Sequence, residues 1–583
     1  MKLISKLIDV HLLRRIMSLV KPYKMHFYLA IVIAILSASL SVVNPQLIQH
    51  TVDEYITKGN LHMLYVMTAI VFCILIVQAM LSYRFTFLTN LLGQNIIKDL
   101  RLKVFNHLLK LKLSYFDRTP IGTSTTRTIN DVEAINDIFS EGIITIFSDV
   151  LTIIAVLGIM FYNSWKLTLI SLTVLPFLLI AAYIFKEGIR KSFSEVRIQA
   201  ARLNTFMQEH ISGMLVVQLF NAEETEMKKF EAINADHRNA HIRSNWYYSI
   251  FFPVVEIISA MAIGLLLWFW GKQFIQSNAS VGLLVSFIMY INMLFRPIRM
   301  LADKFNTLQM GMVAGDRVFK VVDTNEVNVN GGKIIADEIK GDILFHDVSF
   351  SYDGVTPVLK NINFELAAGK TLAIVGATGA GKTSIISLIG RMYEIEKGEI
   401  FIDGIEVKQY ELNALRRQIG LVFQDVFLFS GTVFENITLM EPGISKQQVD
   451  HAAKLCGAHE FIMQLPGQYN YKVMERGSTL SLGQRQLISF VRAMVFNPKI
   501  LVLDEATASI DSNTESLIQN AIQQLVSNRT SIIIAHRLAT VRSADRILVV
   551  QKGQIVEDGT HDQLITQNGV YAKLYAHQLI DTA

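Results

Sequence analysis

The sequence predicts two dissimilar halves: an α-helical membrane domain of six transmembrane helices with long cytoplasmic extensions, then an α/β domain of the P-loop NTPase type. Three observations carry this. The chain has 583 residues, enough for several domains, and 51% of them are hydrophobic. Its mean hydropathy of +0.36 is too apolar for an average soluble protein. Six apolar runs crowd the N-terminal half, and the octapeptide Gly376–Thr383 fits G-x-x-x-x-G-K-[ST] without mismatch in the C-terminal half.

Charge and cysteine usage exclude some classes. Net charge is only +4, so nucleic acid is not an expected partner. Cys73 lies in an apolar run and Cys456 in the α/β half, which favours neither a disulfide nor a metal motif.

Residues 1–20 place Leu3, Ile4, Leu7, Ile8, Leu12, Ile16 and Val20 at helical spacing, with Lys2, Lys6, Arg14 and Arg15 between them. That pattern predicts an amphipathic helix at the membrane surface. A secretory signal would need a continuous apolar core and a small-residue cleavage site.

The six runs are Phe27–Val43, Leu64–Leu81, Ile143–Tyr162, Leu167–Phe185, Ser249–Trp270 and Val281–Phe295. Spanning a hydrocarbon core takes about 20 helical residues, which the first and last reach by including flanks such as Asn44 and Met300. Together they predict a membrane domain over 21–310. Basic residues cluster after the second and fourth runs, for example Lys98, Arg101, Lys103, Lys110 and Lys112, then Lys186, Arg190, Lys191 and Arg197. The positive-inside rule then puts both termini and both long segments in the cytoplasm. Membrane lipid is an obligatory partner, and a bacterial plasma membrane is the expected location.

The segments Asn90–Leu113 and Ser192–Phe230 keep helical periodicity with mixed charge, so they read as spanning helices that continue into the cytoplasm. Two breaks, Tyr115–Gly122 and Ser212-Gly213 with Val216–Glu226, are places where a membrane domain could touch a cytoplasmic engine, or plain helix–turn–helix connections. Glu256 is the sole carboxylate between Ser249 and Trp270. It reads as a cation or substrate contact, or as a structural hydrogen-bonding partner off the midplane near Pro253; the second reading is favoured. The many Phe and Met residues of the spans suit an adaptable apolar lining or a lipid-facing surface.

Residues 311–340 turn polar and aperiodic, as a linker does, and a soluble domain is expected over 341–583. Asp342–Tyr352 alternates like a strand. The run Thr371–Val375 reads as a buried strand, and the residues from Ser384 onward read as a helix. Between them Gly376, Ala377, Thr378, Gly379, Ala380 and Gly381 let the backbone curl round an anion and offer it N–H groups, at a helix N-terminus that favours negative charge. Lys382 neutralises β/γ-phosphates in such a loop and the Thr383 hydroxyl ligates Mg²⁺, which makes ATP and Mg²⁺ the expected cofactors. Strands follow at Leu421–Gln424, Ile500–Glu505 and Ser531–His536. Parallel sheets place chemistry at such strand ends. Asp504 suits a metal-holding carboxylate, Glu505 a base that polarises water, and His536 a holder of the γ-phosphate or of that water.

The run Leu480-Ser481-Leu482-Gly483-Gln484 resembles the Leu-Ser-Gly-Gly-Gln signature of ABC transporters. Other residues match that family in order. Tyr352 resembles its adenine-stacking aromatic, Gln424 its Q-loop glutamine and metal ligand, Ser509-Ile510-Asp511 its D-loop, and His536 its switch histidine. The resemblance covers nearly the whole chain. It implies a half-transporter of the exporter type, like those for drugs or lipids, whose Ser481, Gly483 and Gln484 close on ATP held by another subunit. A dimer is therefore implied, homomeric because both halves of a site are intact, though a heterodimer is open. The family's glycine is Leu482 here. Ser481 and Gln484 still form an S-x-x-Q capping box, so either Leu482 has ordinary φ or the loop is altered.

The expectation is ATP-driven export or flipping of an amphiphilic or hydrophobic substrate by alternating access. The alternatives are an ATP-gated channel and a membrane-bound, ATP-switched regulator on the same scaffold. A peptide exporter that processes its own cargo is not expected, since no peptidase domain precedes the spans. No residue chooses between drug and lipid.

Overall fold

The computed structural model describes residues 9–277, 280–328, 331–336, 338–504, 512–534 and 538–582. Its chain forms two compact units, Met1–Leu109 with Ile121–Asn325, and Lys110–Pro120 with Glu326–Ala583. The division falls inside the stretch expected as linker, and the helix Val281–Val322 fills the first part of that stretch.

The first unit is helical. Its N-terminal helix, Val10–Ser18, is capped by the Asp9 carboxylate, which accepts from the His11 and Leu12 N–H groups. Ile16 is fully buried, and a Cβ at Gly315 would approach its Cδ1 to 3.1 Å. Arg15 lies 4.0 Å over the Phe319 ring and donates twice to Asp323 at 2.5 Å. The apolar stripe of this helix is thus partly packed into protein.

Among the described residues, five helical stretches are long and apolar enough to cross a membrane: Lys21–Ile56, Leu61–Leu108, Ile121–Asn163, Trp165–Ser212 and Glu223–Lys272. A sixth, shorter apolar stretch is Val281–Pro297. They contain the six apolar runs in order. The helix Leu61–Leu108 has 48 residues and Glu223–Ser277 has 55. At about 1.5 Å per residue both far exceed a bilayer core of about 30 Å. Glu256 lies on an exposed face of its helix.

One end of this unit is tied by polar groups. The Asp53 carboxylate accepts from the Gly282 N–H at 2.7 Å and from the Ser280 hydroxyl. Gln49 accepts from Ser286 at 2.9 Å, and Gln46 accepts from Asn163 and Tyr290 at 3.0 and 3.3 Å. Gly282 is required there, because a Cβ would meet the Gln49 carbonyl at 2.3 Å. Satisfying polar groups within the protein is what a membrane demands. At the second sequence break, Gly213 ends one helix and a short helix Met214–Leu219 follows, with Leu215, Leu219 and Phe220 exposed.

The second unit is α/β. A four-stranded antiparallel sheet has the order β2-β1-β4-β5, with β1 Ile343–Phe350, β2 Leu359–Leu366, β4 Lys397–Ile402 and β5 Ile405–Glu406. A six-stranded sheet has the order β12-β11-β3-β10-β9-β6. Its strands are β3 Thr371–Val375, β6 Ile419–Val422, β9 Ile500–Asp504, β10 Thr530–Ile534, β11 Arg546–Gln551 and β12 Gln554–Gly559. A two-stranded ribbon pairs β7 Gly431–Thr432 with β8 Lys472–Val473. In the six-stranded sheet β3, β6, β9, β10 and β11 are parallel and β12 is antiparallel.

Strand alternation builds two cores. Ala373, Leu501, Leu503 and Ile533 face a helical layer that includes Leu487, Ile518 and Ile522. Leu372, Ile374, Val502 and Ile532 face the antiparallel sheet through Phe345, Ile362 and Ile400. Each such leucine, valine, isoleucine or phenylalanine side chain contributes about 1.5–3 kcal/mol on burial. With both faces covered, β3, β9 and β10 read as unbroken apolar runs, which is why the sequence reveals them.

Lys110–Pro120 belongs to this second unit although helices of the first flank it in the chain. Leu111 bridges Val327, the Lys112 N–H donates to the Glu326 carbonyl at 2.8 Å, and Leu113–Arg118 forms a short helix.

Candidate nucleotide site

Strand order fixes the site. The loop Gly376–Gly381 leaves the end of β3, Asp504 ends β9, and β10 runs between those two strands. Gly376 has φ +155° and a Cβ there would meet the Val550 carbonyl at 2.2 Å; Gly381 has φ +105°. Neither position accommodates a side chain at low cost, so the loop curls as only glycine permits. The helix Lys382–Ile389 starts directly after it, with its N-terminal N–H groups at the loop.

Lys382 is buried, and its Nζ donates to the carbonyls of Gly376 at 2.6 Å and Ala377 at 3.1 Å. Burial pushes its pKa below the ordinary lysine value, and the nearby Asp504 carboxylate opposes that shift. A buried cation held by carbonyl oxygens gains from an arriving anion. Thr383 donates its hydroxyl to Asp504 Oδ2 at 3.3 Å, which puts two hard oxygen atoms side by side, as a Mg²⁺ site shared with phosphate oxygens needs.

Ser384, the next residue, is buried and its hydroxyl lies 2.9 Å from that of Tyr352. The Tyr352 ring is partly exposed, edge-on to Phe350 at 4.8 Å and to Tyr393 at 5.0 Å. Tyr393 donates to Asp117 Oδ2 at 2.6 Å, and burial followed by that bond pushes its phenol pKa well above the tyrosine range. Arg118 reaches the Tyr352 carbonyl at 3.5 Å. The sequence offered no sign of Tyr393, and it marked Asp117 only as part of the break Tyr115–Gly122, since single aromatic and acidic residues carry no motif.

Gln424 is exposed just past β6. Ser481 caps the helix Leu482–Phe496, accepting from the Gln484 N–H at 3.2 Å, while the Gln484 side chain accepts from the Ser481 N–H at 3.0 Å. Gly483 is buried in the first turn. Leu482 is the first residue of that helix and has no positive φ. The alternative left open by the sequence is thereby resolved: the cap tolerates leucine at ordinary dihedrals. No hydrogen bond joins Ser481 or Gln484 to the phosphate loop of the same chain among the described residues. Glu505, Ser509, Ile510, Asp511 and His536 lie outside the described residues.

The fold and this loop define the class: a P-loop ATPase domain fused to a helical membrane domain. Two family models match the chain, "ABC transporter transmembrane region" over residues 27–298 and "ABC transporter" over residues 359–508. YknV of Bacillus subtilis, described as an uncharacterized ABC transporter ATP-binding protein, is 38% identical over 97% of this chain and 94% of its own length. An ATP-dependent lipid A-core flippase of Syntrophus aciditrophicus is 34% identical over 97% of this chain and 94% of its own. The solved structure of a bacterial Atm1-family ABC exporter with ATP bound superposes with a TM-score of 0.79 at 27% identity, covering 95% of this chain and 98% of that one. The chain belongs to the ABC transporter family, as an exporter-type half-transporter. It is an integral membrane protein whose ATP hydrolysis is coupled to transport.

Proposed function

We propose that two copies of this chain export or flip an amphiphilic molecule, with Mg²⁺-ATP clamped between paired ATPase domains. The observation that carries this is the pairing of a preorganised phosphate loop, Lys382–Thr383–Asp504, with a capped helix terminus at Ser481 that its own loop does not engage. A helix N-terminus with open N–H groups suits the γ-phosphate held by a second copy. Lys382, Mg²⁺ and that terminus then offset the phosphate charge. Tyr352 supplies an aromatic face for adenine, Gln424 joins Thr383 and Asp504 at the metal, and Glu505 and His536 act on the attacking water. The basic residues after the second and fourth runs support ATPase domains on the cytoplasmic side, and a bacterial plasma membrane is the location we propose.

The lipid-flippase relative supports a lipid-like cargo, and the apolar spans suit any amphiphile. The test uses the full chain in proteoliposomes. ATP-dependent movement of a labelled amphiphile between leaflets is expected, together with a Glu505→Gln variant that binds ATP, stays dimeric and does not turn over. ATP-gated single-channel currents, or hydrolysis without net movement of any amphiphile, would overturn this reading in favour of a channel or a regulator.

A further inference from the structure

We propose that the cavity between one set of ends of the second, third and sixth spans binds the cationic headgroup of an amphiphile, with Glu141 and Asp303 as the recognising carboxylates. The inference rests on the export reading above and on the topology drawn from the basic residues.

The cavity measures about 360 Å³ and is lined by Phe85, Thr89, Glu141, Met300, Asp303 and Lys304, with further hydroxyls. That volume falls at the lower end of the range of about 300–1,000 Å³ for small-molecule sites. Its three walls share one level. Phe85 and Thr89 come just after the apolar run Leu64–Leu81, Glu141 just before Ile143–Tyr162, and Met300 to Lys304 just after Val281–Phe295. By the positive-inside topology that level is the cytoplasmic edge of the bilayer, where lipid headgroups lie.

Charge bookkeeping selects the ligand. Among the described residues Lys304 is the one base lining the cavity, and it is engaged by Asp149 in an ion pair. Glu141 and Asp303 make no ion pair among the described residues. The Thr89 hydroxyl donates to the Phe85 carbonyl at 3.1 Å and the Thr145 hydroxyl to the Gly142 carbonyl at 3.0 Å. With their protons used, these oxygens remain as acceptors. Among the described residues, the charged groups of the cavity left without an ion pair are therefore both carboxylates, which favour a cation. Phe85 adds an aromatic ring, which attracts quaternary ammonium groups. Met300, exposed beside it, offers an adaptable apolar surface for the first methylenes of a tail.

The test uses the full chain in nanodiscs with dodecyltrimethylammonium, an uncharged dodecyl tetraethylene glycol ether and dodecyl phosphate as chain-matched probes. Two quantities are measured: the half-maximal concentration for changing ATPase rate, and binding of labelled dodecyltrimethylammonium without ATP. The cation is expected to act at the lowest concentration. Asp303→Asn and Glu141→Gln should each weaken its binding about tenfold while leaving the response to the uncharged ether, which reports that the variants are folded. Asp303→Glu should restore cation binding. Equal potency of the three probes, preference for the phosphate, or unchanged cation binding in both neutralised variants would overturn the site while sparing the export reading. Hydrolysis without movement of any amphiphile in the proteoliposome assay would overturn the export reading and the site with it.

Discussion

The Tyr393 hydroxyl donates to the Asp117 carboxylate at 2.6 Å, and the Tyr393 ring meets the Tyr352 ring edge-on at 5.0 Å. Tyr352 in turn touches Ser384 on the helix that follows the phosphate loop. A path of four side chains thus runs from the nucleotide loop to Lys110–Pro120, the segment that the chain inserts between two span-bearing helices. A hydrogen bond to an exposed carboxylate is worth about 1 kcal/mol, or about fivefold in an equilibrium. Tyr393→Phe and Asp117→Asn are each expected to lower substrate moved per ATP by about that factor, with ATP affinity held within about twofold. The ratio of transport to phosphate release in proteoliposomes measures it. Equal losses in both rates would place the pair in hydrolysis, and no loss would remove it from coupling.

The contact between Thr383 and Asp504 makes a second prediction. If these oxygens hold Mg²⁺, Thr383→Ala removes one ligand and frees the other from its hydroxyl partner. The Mg²⁺ concentration for half-maximal ATPase should rise about tenfold, which corresponds to about 1.4 kcal/mol. Binding of ATP without metal should change little, since Lys382 and the loop N–H groups remain. Chelation by EDTA should stop turnover of both forms. A parallel loss of metal-free ATP binding would show that Thr383 instead shapes the loop.

The parts of this arrangement legible in the sequence are those with one-dimensional signatures. The phosphate loop, the apolar strands β3, β9 and β10, and the cap at Ser481 each announce themselves through spacing or unbroken apolarity. The strands β11 and β12, the hairpin-forming β1, β2 and β4, and the ribbon of β7 with β8 depend on pairing between distant residues. Of these only β1 alternates clearly enough to be read. The run Leu421–Gln424 marks β6 two residues late, because Ile419 and Gly420 follow a polar helix end that masks the strand's start. Tyr393 and Asp117 are 276 positions apart, and no local pattern can join them. The N-terminal helix shows the same limit. Its amphipathic stripe is plain in the sequence, but whether it meets lipid or Gly315 and Phe319 is a tertiary matter.

Leu482 yields a third prediction. It occupies the first turn of its helix at ordinary dihedrals, so glycine there gains nothing from positive φ. Leu482→Gly loosens the helix start by about 0.5–1 kcal/mol. For a domain of this size the melting temperature should fall by no more than about 4 °C. ATPase rate should stay within about twofold, because the Ser481–Gln484 cap holds the terminus. A tenfold change in either direction, with melting unaltered, would mean that the leucine side chain itself acts on the partner's nucleotide.

Cys456 provides a probe of folding in the ATPase half. It is buried in the apolar helical layer, and burial pushes its thiol pKa up to about 12, with Arg529 opposing. The unfolded thiol has a pKa of about 8.5, so at pH 8 roughly a quarter of it is thiolate, against a negligible fraction in the native state. The native state favours the protonated form. Its stability contribution is therefore full below about pH 8.5 and is lost progressively as pH rises toward the native value. In a Cys73→Ala background, methyl methanethiosulfonate at pH 8 should leave Cys456 unmodified in the native protein and modify it in step with loss of β-sheet circular dichroism in urea. Saturating MgATP should shift that labelling to higher urea, since a ligand that binds only the native state stabilises it. Rapid labelling without denaturant would show that the layer around Cys456 opens in the native state, and an unshifted transition with MgATP would mean that nucleotide does not engage this half of the chain.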